Sequence, residues 1–266
     1  MNLATPTRQS ARQNHLLAAL PDIEYAALLP RLELVPMPLS FVIYESGDAQ
    51  GYVYFPTTSI VSLIRVLADG LAAGSAVVGN EGAVGIASFM GGESTPDRAV
   101  VLSAGCAYRI RSSALRYEFL RNRELRDLLL RYTQALIMQT TQTSVCNRYH
   151  SVEQQLCRFL LSLLDQLPSG ELTLTQELIA HMLGVRREGV TTAAGRLQAA
   201  GMIRCRRGHI SVLDRSKLEA QSCECYAAVK REYDRLLPVY PLAETALVPL
   251  PDHRQHHPSV PATAFS

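Results

Sequence analysis

The sequence predicts an α+β protein of 266 residues in two compact domains. The first is an antiparallel β-barrel or jelly roll, a long helix follows, and a winged helix-turn-helix closes the fold. Three observations predict this. Short apolar runs separated by turn residues fill positions 34–110, apolar residues then recur at three- and four-residue steps to position 149, and residues 175–213 read as helix, tight turn, helix and hairpin. Hydrophobic residues make up 47% of the chain, enough for real cores, which excludes a disordered protein.

Residues 1–14 are polar, carry Arg8 and Arg12, and are expected to form a flexible leader; they lack the apolar core of a signal peptide. Leu16, Leu17 and Leu20 precede Pro21, and Tyr25, Leu28 and Leu29 precede Pro30, which predicts two short helices with Asp22 near the start of the second. From Leu32 the period changes. Runs at 34–39, 41–45, 52–56, 60–67, 75–79, 99–102 and 106–110 are β-like, with turns at 46–48, 56–59 and 68–71. Many strands at such short spacing place a barrel or jelly roll at 15–113.

Ser112 and Ser113 precede a helix expected from Ala114 to about Tyr149, longer than most globular helices. Leu125, Leu128, Tyr132, Leu136, Gln139, Thr143 and Cys146 form a coiled-coil-like seam along it, apolar first and polar later. The alternative is a helix packed only on its own barrel. His150 and Ser151 break the helix, so 114–150 is one unit ending in a hinge at 147–151. Ser151 and Gln154 have capping-box spacing, and a new helix carries Leu156, Phe159, Leu160, Leu163 and Leu164 into a second domain at 151–236.

Thr175 is the expected N-cap of the first motif helix, with Glu177 in its first turn. Leu178, Ile179 and Met182 supply its buried face. Gly184 sits at the turn, where a positive φ costs glycine little. The second helix runs over about 186–199 with Val190, Ala193, Ala194 and Leu197 inward, and the wing follows at 203–213. Asp214 caps a last helix to about Leu236. Beyond Leu237, six prolines and the His253, His256 and His257 cluster predict a disordered tail over 237–266.

Charge gives the motif its chemistry. From Thr175 to Lys217 there are eight basic residues (Arg186, Arg187, Arg196, Arg204, Arg206, Arg207, Arg215 and Lys217) against three acidic ones, a net +5 in a chain of net +2. A basic footprint confined to the motif suits DNA phosphates and weighs against an ordinary helical hairpin. On a recognition helix, Arg187 can donate twice to guanine O6 and N7, and Glu188 can accept from cytosine N4. Thr175, Gln176, Arg186, Thr191, Thr192 and Arg196 on the helices, and Arg206, Arg207 and His209 on the wing, complete the candidate double-stranded DNA contacts.

On these residues the segment resembles the winged-helix domain of the Crp/Fnr family of bacterial transcription regulators. The family's recognition helix opens with an Arg-Glu pair, matched here by Arg187 and Glu188. It departs at Thr192, where a further basic residue is usual, and at Arg186, where a small hydroxyl cap is usual. The order of elements over roughly 15–235 also resembles that family's cyclic-nucleotide-binding domain and output domain. The resemblance implies a homodimer paired through the long-helix seam, an inverted-repeat operator, and RNA polymerase as a partner if the protein activates. With no apolar run of about 18 residues and no signal-peptide core, a cytoplasmic protein with no membrane span is expected.

The resemblance also implies where an effector would sit. The family's Gly-Glu-x-Gly turn matches Gly82, Ala83, Val84 and Gly85, with Ala83 in place of the ribose-binding glutamate and Glu81 offering another register. The arginine-serine pair falls near Thr95 and Arg98, where Pro96 removes a backbone donor. A degenerate pocket that does not use cyclic AMP is therefore expected, with another small effector possible. Two other readings stay open: a cyclic-nucleotide-responsive regulator using Glu81 and Arg98, and an enzyme with an accessory DNA-binding module. Against the enzyme, no Ser/His/Asp order or phosphate-cradling glycine loop is present.

The six cysteines, Cys106, Cys146, Cys157, Cys205, Cys223 and Cys225, are scattered. Cys106 and Cys157 are expected in the core. Cys223 and Cys225 are too close for ordinary paired zinc ligation, so no cofactor and no metal is expected. The iron–sulfur members of the resembled family carry an N-terminal cysteine cluster, which this chain lacks.

Overall fold

The structure is a computed structural model, described here for residues 11–166, 171–206 and 209–238. Residues 11–14 of the expected leader belong to the fold. Ala11 and Asn14 are fully buried. Asn14 caps α1 (His15–Ala18), and its amide donates to the carbonyls of Pro56 at 2.9 Å and Gly82 at 2.8 Å. Helix α2 (Asp22–Leu28) runs directly into a 3₁₀ turn (Leu29–Arg31) that contains Pro30.

Seven strands then form two antiparallel sheets. β1 (Glu33–Met37), β3 (Tyr52–Pro56) and β7 (Gly105–Arg111) make one, in the order β1-β7-β3. β2 (Val42–Tyr44), β4 (Ile60–Val66), β5 (Ala72–Val78) and β6 (Asp97–Ser103) make the other, in the order β2-β6-β4-β5. The fold is thus jelly-roll-like, and the closed barrel offered as an alternative is not formed. Pro36 and Pro56 lie on the edge strands β1 and β3, where a missing N–H breaks no inner ladder. A short helix, α3 (Ala87–Met90), links β5 to β6. Phe55, Val61, Val78, Ala99, Val101 and Tyr108 fill the space between the sheets.

The expected long helix is two helices. α4 (Ser112–Arg121) stops at Asn122, whose side chain accepts from the Leu125 amide at 3.0 Å and so caps α5 (Arg123–Tyr149). The seam on α5 faces inward, contrary to its reading as a dimer surface. Leu125, Leu128, Tyr132, Leu136, Gln139, Thr143 and Cys146 are all at most 6% exposed within the single chain. Gln139 donates to the Val77 carbonyl at 3.1 Å and accepts from the Tyr233 hydroxyl at 2.8 Å. The physical reason is that β5 and the C-terminal helix both pack on that face. The opposite face carries Leu130, Ile137, Val145 and Tyr149, all exposed.

His150 is extended and ends α5, and the Ser151–Gln154 capping box starts α6 (Val152–Leu164), so the helix break lies where the sequence places it. β8 (Glu171–Thr173), α7 (Gln176–Leu183), α8 (Arg187–Ala199), β9 (Ile203–Arg206) and β10 (His209–Val212) build the winged domain. The last expected helix is again two, α9 (Arg215–Gln221) and α10 (Cys225–Leu236), separated at 222–224. α10 leaves the second domain: Tyr233 packs against the jelly-roll core. The tail and its three histidines fall, beyond Pro238, outside the described residues.

The winged domain is not a separate body. Ile60, Ile64, Val77 and Leu102, on the outer face of the four-stranded sheet, share one core with Leu156, Leu160, Ile179, Met182, Val190 and Leu197. Gly74 on β5 permits the approach, since a Cβ there would collide with Met182 Cε and lie 2.8 Å from the Met182 carbonyl.

Candidate nucleic-acid interface

Local chemistry builds the interface from Thr175 onward. Its hydroxyl accepts from the Leu178 amide at 3.1 Å and starts α7. Gly184 ends α7 at φ +64°, and α8 begins three residues later. Val190, Ala193, Ala194 and Leu197 turn inward, as their spacing predicts. Arg186, Arg187, Glu188, Thr191, Thr192 and Arg196 consequently share the exposed face. Arg186 occupies the N-cap position and makes no side-chain cap, which leaves the positive end of α8 open to a phosphate.

These side chains differ in how free they are. Among the described residues, no ion pair engages Arg186, Arg187 or Glu188. Thr191 Oγ1 lies 2.9 Å from Gln176 Oε1 and 3.0 Å from the Arg187 carbonyl, so its one proton is spent inside the motif. Thr192 donates to the Glu188 carbonyl at 3.0 Å. Arg196 stands 3.7 Å from Glu153 of α6.

The wing is fixed to the recognition helix. The Cys205 amide donates to Gln198 Oε1 at 2.8 Å, a contact the sequence does not announce. β10 pairs with both β9 and β8, and His209 lies opposite Arg206. Arg204, Arg206 and His209 are exposed, while Ile203 and Ile210 enter the core. Arg207 lies outside the described residues.

The effector candidates are not brought together. On β6, Ala99 and Val101 point between the sheets, whereas Arg98 and Val100 alternate with them and point out. Arg98 pairs instead with Glu45 at 3.0 Å. Thr95 accepts from the Asp97 amide at 3.3 Å. The Tyr132 hydroxyl donates to the Ala83 carbonyl at 2.9 Å, and its ring lies so close to Gly82 that a Cβ there would be 2.5 Å from the hydroxyl oxygen. Gly85 holds φ +105° against the Tyr52 carbonyl.

Glu81 faces the domain junction, accepting from the Gly79 amide at 3.1 Å and from Gln166 Nε2 at 2.9 Å. Burial pushes its carboxyl up to about 7 against the lowering effect of the Gly79 amide. Glu81 and Arg98, which the cyclic-nucleotide reading pairs, thus each hold other partners: Gly79 and Gln166 for Glu81, and Glu45 for Arg98. A cavity of about 380 Å³ lies elsewhere, lined by Arg31, Glu33, Tyr52, Arg109, Arg111 and Ala114.

Of the cysteines, Cys157 is buried as expected and Cys106 is only half-buried. Cys146, Cys223 and Cys225 converge, which their linear spacing does not suggest.

Residues 154–221 match the family model described as the Crp-like helix-turn-helix domain. Three solved structures share the fold. FixK2 from Bradyrhizobium japonicum is 18% identical with a TM-score of 0.63, the match covering 72% of this chain and 98% of that one. TTHB099, a CRP-family transcriptional regulator from Thermus thermophilus, is 18% identical with a TM-score of 0.61, covering 71% and 96%. The c-di-GMP-responsive global regulator CLP from Xanthomonas campestris is 16% identical with a TM-score of 0.60, covering 73% and 100%. No curated protein matches the chain by sequence.

Proposed function

We propose that this chain, whose residues 154–221 match a Crp-like helix-turn-helix domain, is a Crp/Fnr-type regulator that acts as a homodimer on an inverted-repeat operator without cyclic AMP as its signal. The observation that carries the proposal is the exposed start of α8, where Arg187 and Glu188 have no ion-pair partner among the described residues. Side chains left free at the N-terminal turn of a recognition helix are those that reach base edges. Arg206 and His209 on the wing supply contacts to the phosphate backbone beside them.

Dimerisation uses the outward face of α5. Leu130, Ile137 and Val145 are 48%, 57% and 43% exposed. Together with Gln134, Thr141 and Arg148 they repeat at three- and four-residue steps, the period of a two-helix seam. Two recognition helices related by that seam call for an operator with two-fold symmetry.

Ala83 and Arg98 do not offer cyclic AMP the partners it needs. Its ribose hydroxyl needs an acceptor that Ala83 cannot supply, and its phosphate needs a cation that Arg98 does not present between the sheets. Tyr132 occupies the carbonyl of Ala83 instead.

Selection of bound duplexes from a random pool tests the reading. The expected product is an inverted repeat with half-site centres about one helical turn, roughly 34 Å, apart. Recovery of a lone half-site held by a monomer overturns it. Isothermal titration of the dimer with cyclic AMP should release no heat at micromolar concentration. Tight binding there would restore the nucleotide as signal.

A further inference from the structure

The linear sequence separates Cys146 and His150 from Cys223 and Cys225 by more than seventy residues, but the fold gathers them at the hinge. Cys146 and His150 stand one turn apart at the end of α5, where the His150 amide still bonds the Cys146 carbonyl at 3.0 Å. Cys223 precedes α10 and Cys225 opens it. One ligand atom from each of the four lies within 4.8 Å of the other three. Cys146 Sγ and Cys223 Sγ are 3.6 Å apart, and Cys225 Sγ and His150 Nδ1 are 3.5 Å apart.

We propose that Cys146, His150, Cys223 and Cys225 form a tetrahedral Cys3His site for one thiophilic divalent cation of the zinc class per chain, which fastens the hinge. Zn–S bonds of about 2.3 Å and Zn–N bonds of about 2.0 Å set tetrahedral ligand atoms roughly 3.5–3.8 Å apart, which matches both separations. Three sulfurs and one imidazole are the donor set of closed, structural zinc sites.

The surroundings fit the same occupant. His150 turns Nδ1 toward Cys225 and places Nε2 3.4 Å from Glu224, so a carboxylate orients the imidazole from the far side. Gln142 Nε2 donates to Cys225 Sγ at 3.0 Å. Arg158 is only 8% exposed, its charge favours the Cys146 thiolate, and among the described residues its Nε has no hydrogen-bond partner. A buried cation needs a counter-charge, and a divalent ion held by three thiolates leaves the centre with one net negative charge.

Local geometry lets Cys223 and Cys225 act together despite the close spacing that argues against paired zinc ligation. Glu224 between them is helical, at φ −55° and ψ −17°, so the chain turns and both sulfurs meet the α5 ligands. The ion would join the end of α5 to the start of α10 across residues 147–151. This goes beyond DNA recognition and stands whether or not that reading holds.

The experiment is a cobalt(II) titration of the reduced, full-length protein, followed by zinc competition. The expected result is one equivalent bound, with thiolate-to-cobalt charge transfer and the strong visible bands of a tetrahedral ion, displaced by zinc. Cys223→Ser and His150→Ala should each weaken binding more than about 100-fold, since even outer partners of metal ligands contribute 10–100-fold. Cys106→Ser should leave it unchanged. Zinc should also slow proteolysis at the hinge, and chelation should reverse this. Circular dichroism shows whether the variants fold; if one does not, the wild-type spectrum and stoichiometry decide. Weak octahedral bands, an iron–sulfur chromophore, no binding, or a reduced chain that binds cobalt equally without Cys223 overturns the proposal.

Discussion

Among the described residues, Arg187 and Glu188 of α8 enter no ion pair. Replacing Arg187 by Ala should cost about 1–3 kcal/mol in specific binding and relax preference at one base pair of each half-site. Arg206→Ala should instead weaken all sequences alike and lower the salt slope by about one charge, which anisotropy titrations at several salt concentrations measure. The exposure of the pair was legible in the sequence because helix register is local and follows from Val190 and Leu197. The partners of Arg98 were not legible because the face of a strand residue depends on what packs across the sheet, and those of Glu81 were not because its turn meets the second domain. Glu81 carries its own prediction. Its carboxyl, raised to about 7 by burial, favours the protonated form in the folded state. That stability is fully present below the ordinary carboxyl range and is lost as pH rises through about 7. Urea unfolding of the wild type should weaken between pH 5 and 8 by an amount on the order of 1–2 kcal/mol, and Glu81→Gln should flatten this dependence.

At the scale of the element, α5 has two seams of the same period, and the sequence pattern cannot say which turns inward. The more apolar one, through Leu128 and Leu136, was legible as a seam. Its partner, the C-terminal helix α10, arrives from almost ninety residues downstream, so its destination was not. The two faces should respond differently to the same charge. Leu136→Glu buries a carboxylate in the core and should cost on the order of 4 kcal/mol in stability. Ile137→Glu, one residue along, should leave a folded monomer with little change in Tm but lower DNA affinity. Light scattering with size exclusion separates the outcomes; a dimeric Ile137→Glu protein would rule out this face. The break at Asn122 has a sequence signal in hindsight, an Asn followed by an acidic first-turn residue at Glu124.

For the whole molecule, the order of parts was legible and their attachment was not. Strand periods and the helix-turn-helix spacing are local, whereas the outer face of the four-stranded sheet reads only as more apolar strand. Because that face and the winged domain share one core, thermal unfolding should show a single cooperative transition. Gly74→Val should force the Met182 backbone away and cost about 1–3 kcal/mol by overpacking, read from the urea midpoint. Two well-separated transitions in the wild type would contradict the common core. The close fit at Gly74 also governs any exchange of parts between relatives. A chimaera that grafts this winged half onto a foreign jelly roll would lose the bare backbone against which Met182 lies, while the donor jelly roll would be left with Ile60, Ile64, Val77 and Leu102 facing water. The two halves must therefore be transplanted together, or each recipient surface rebuilt.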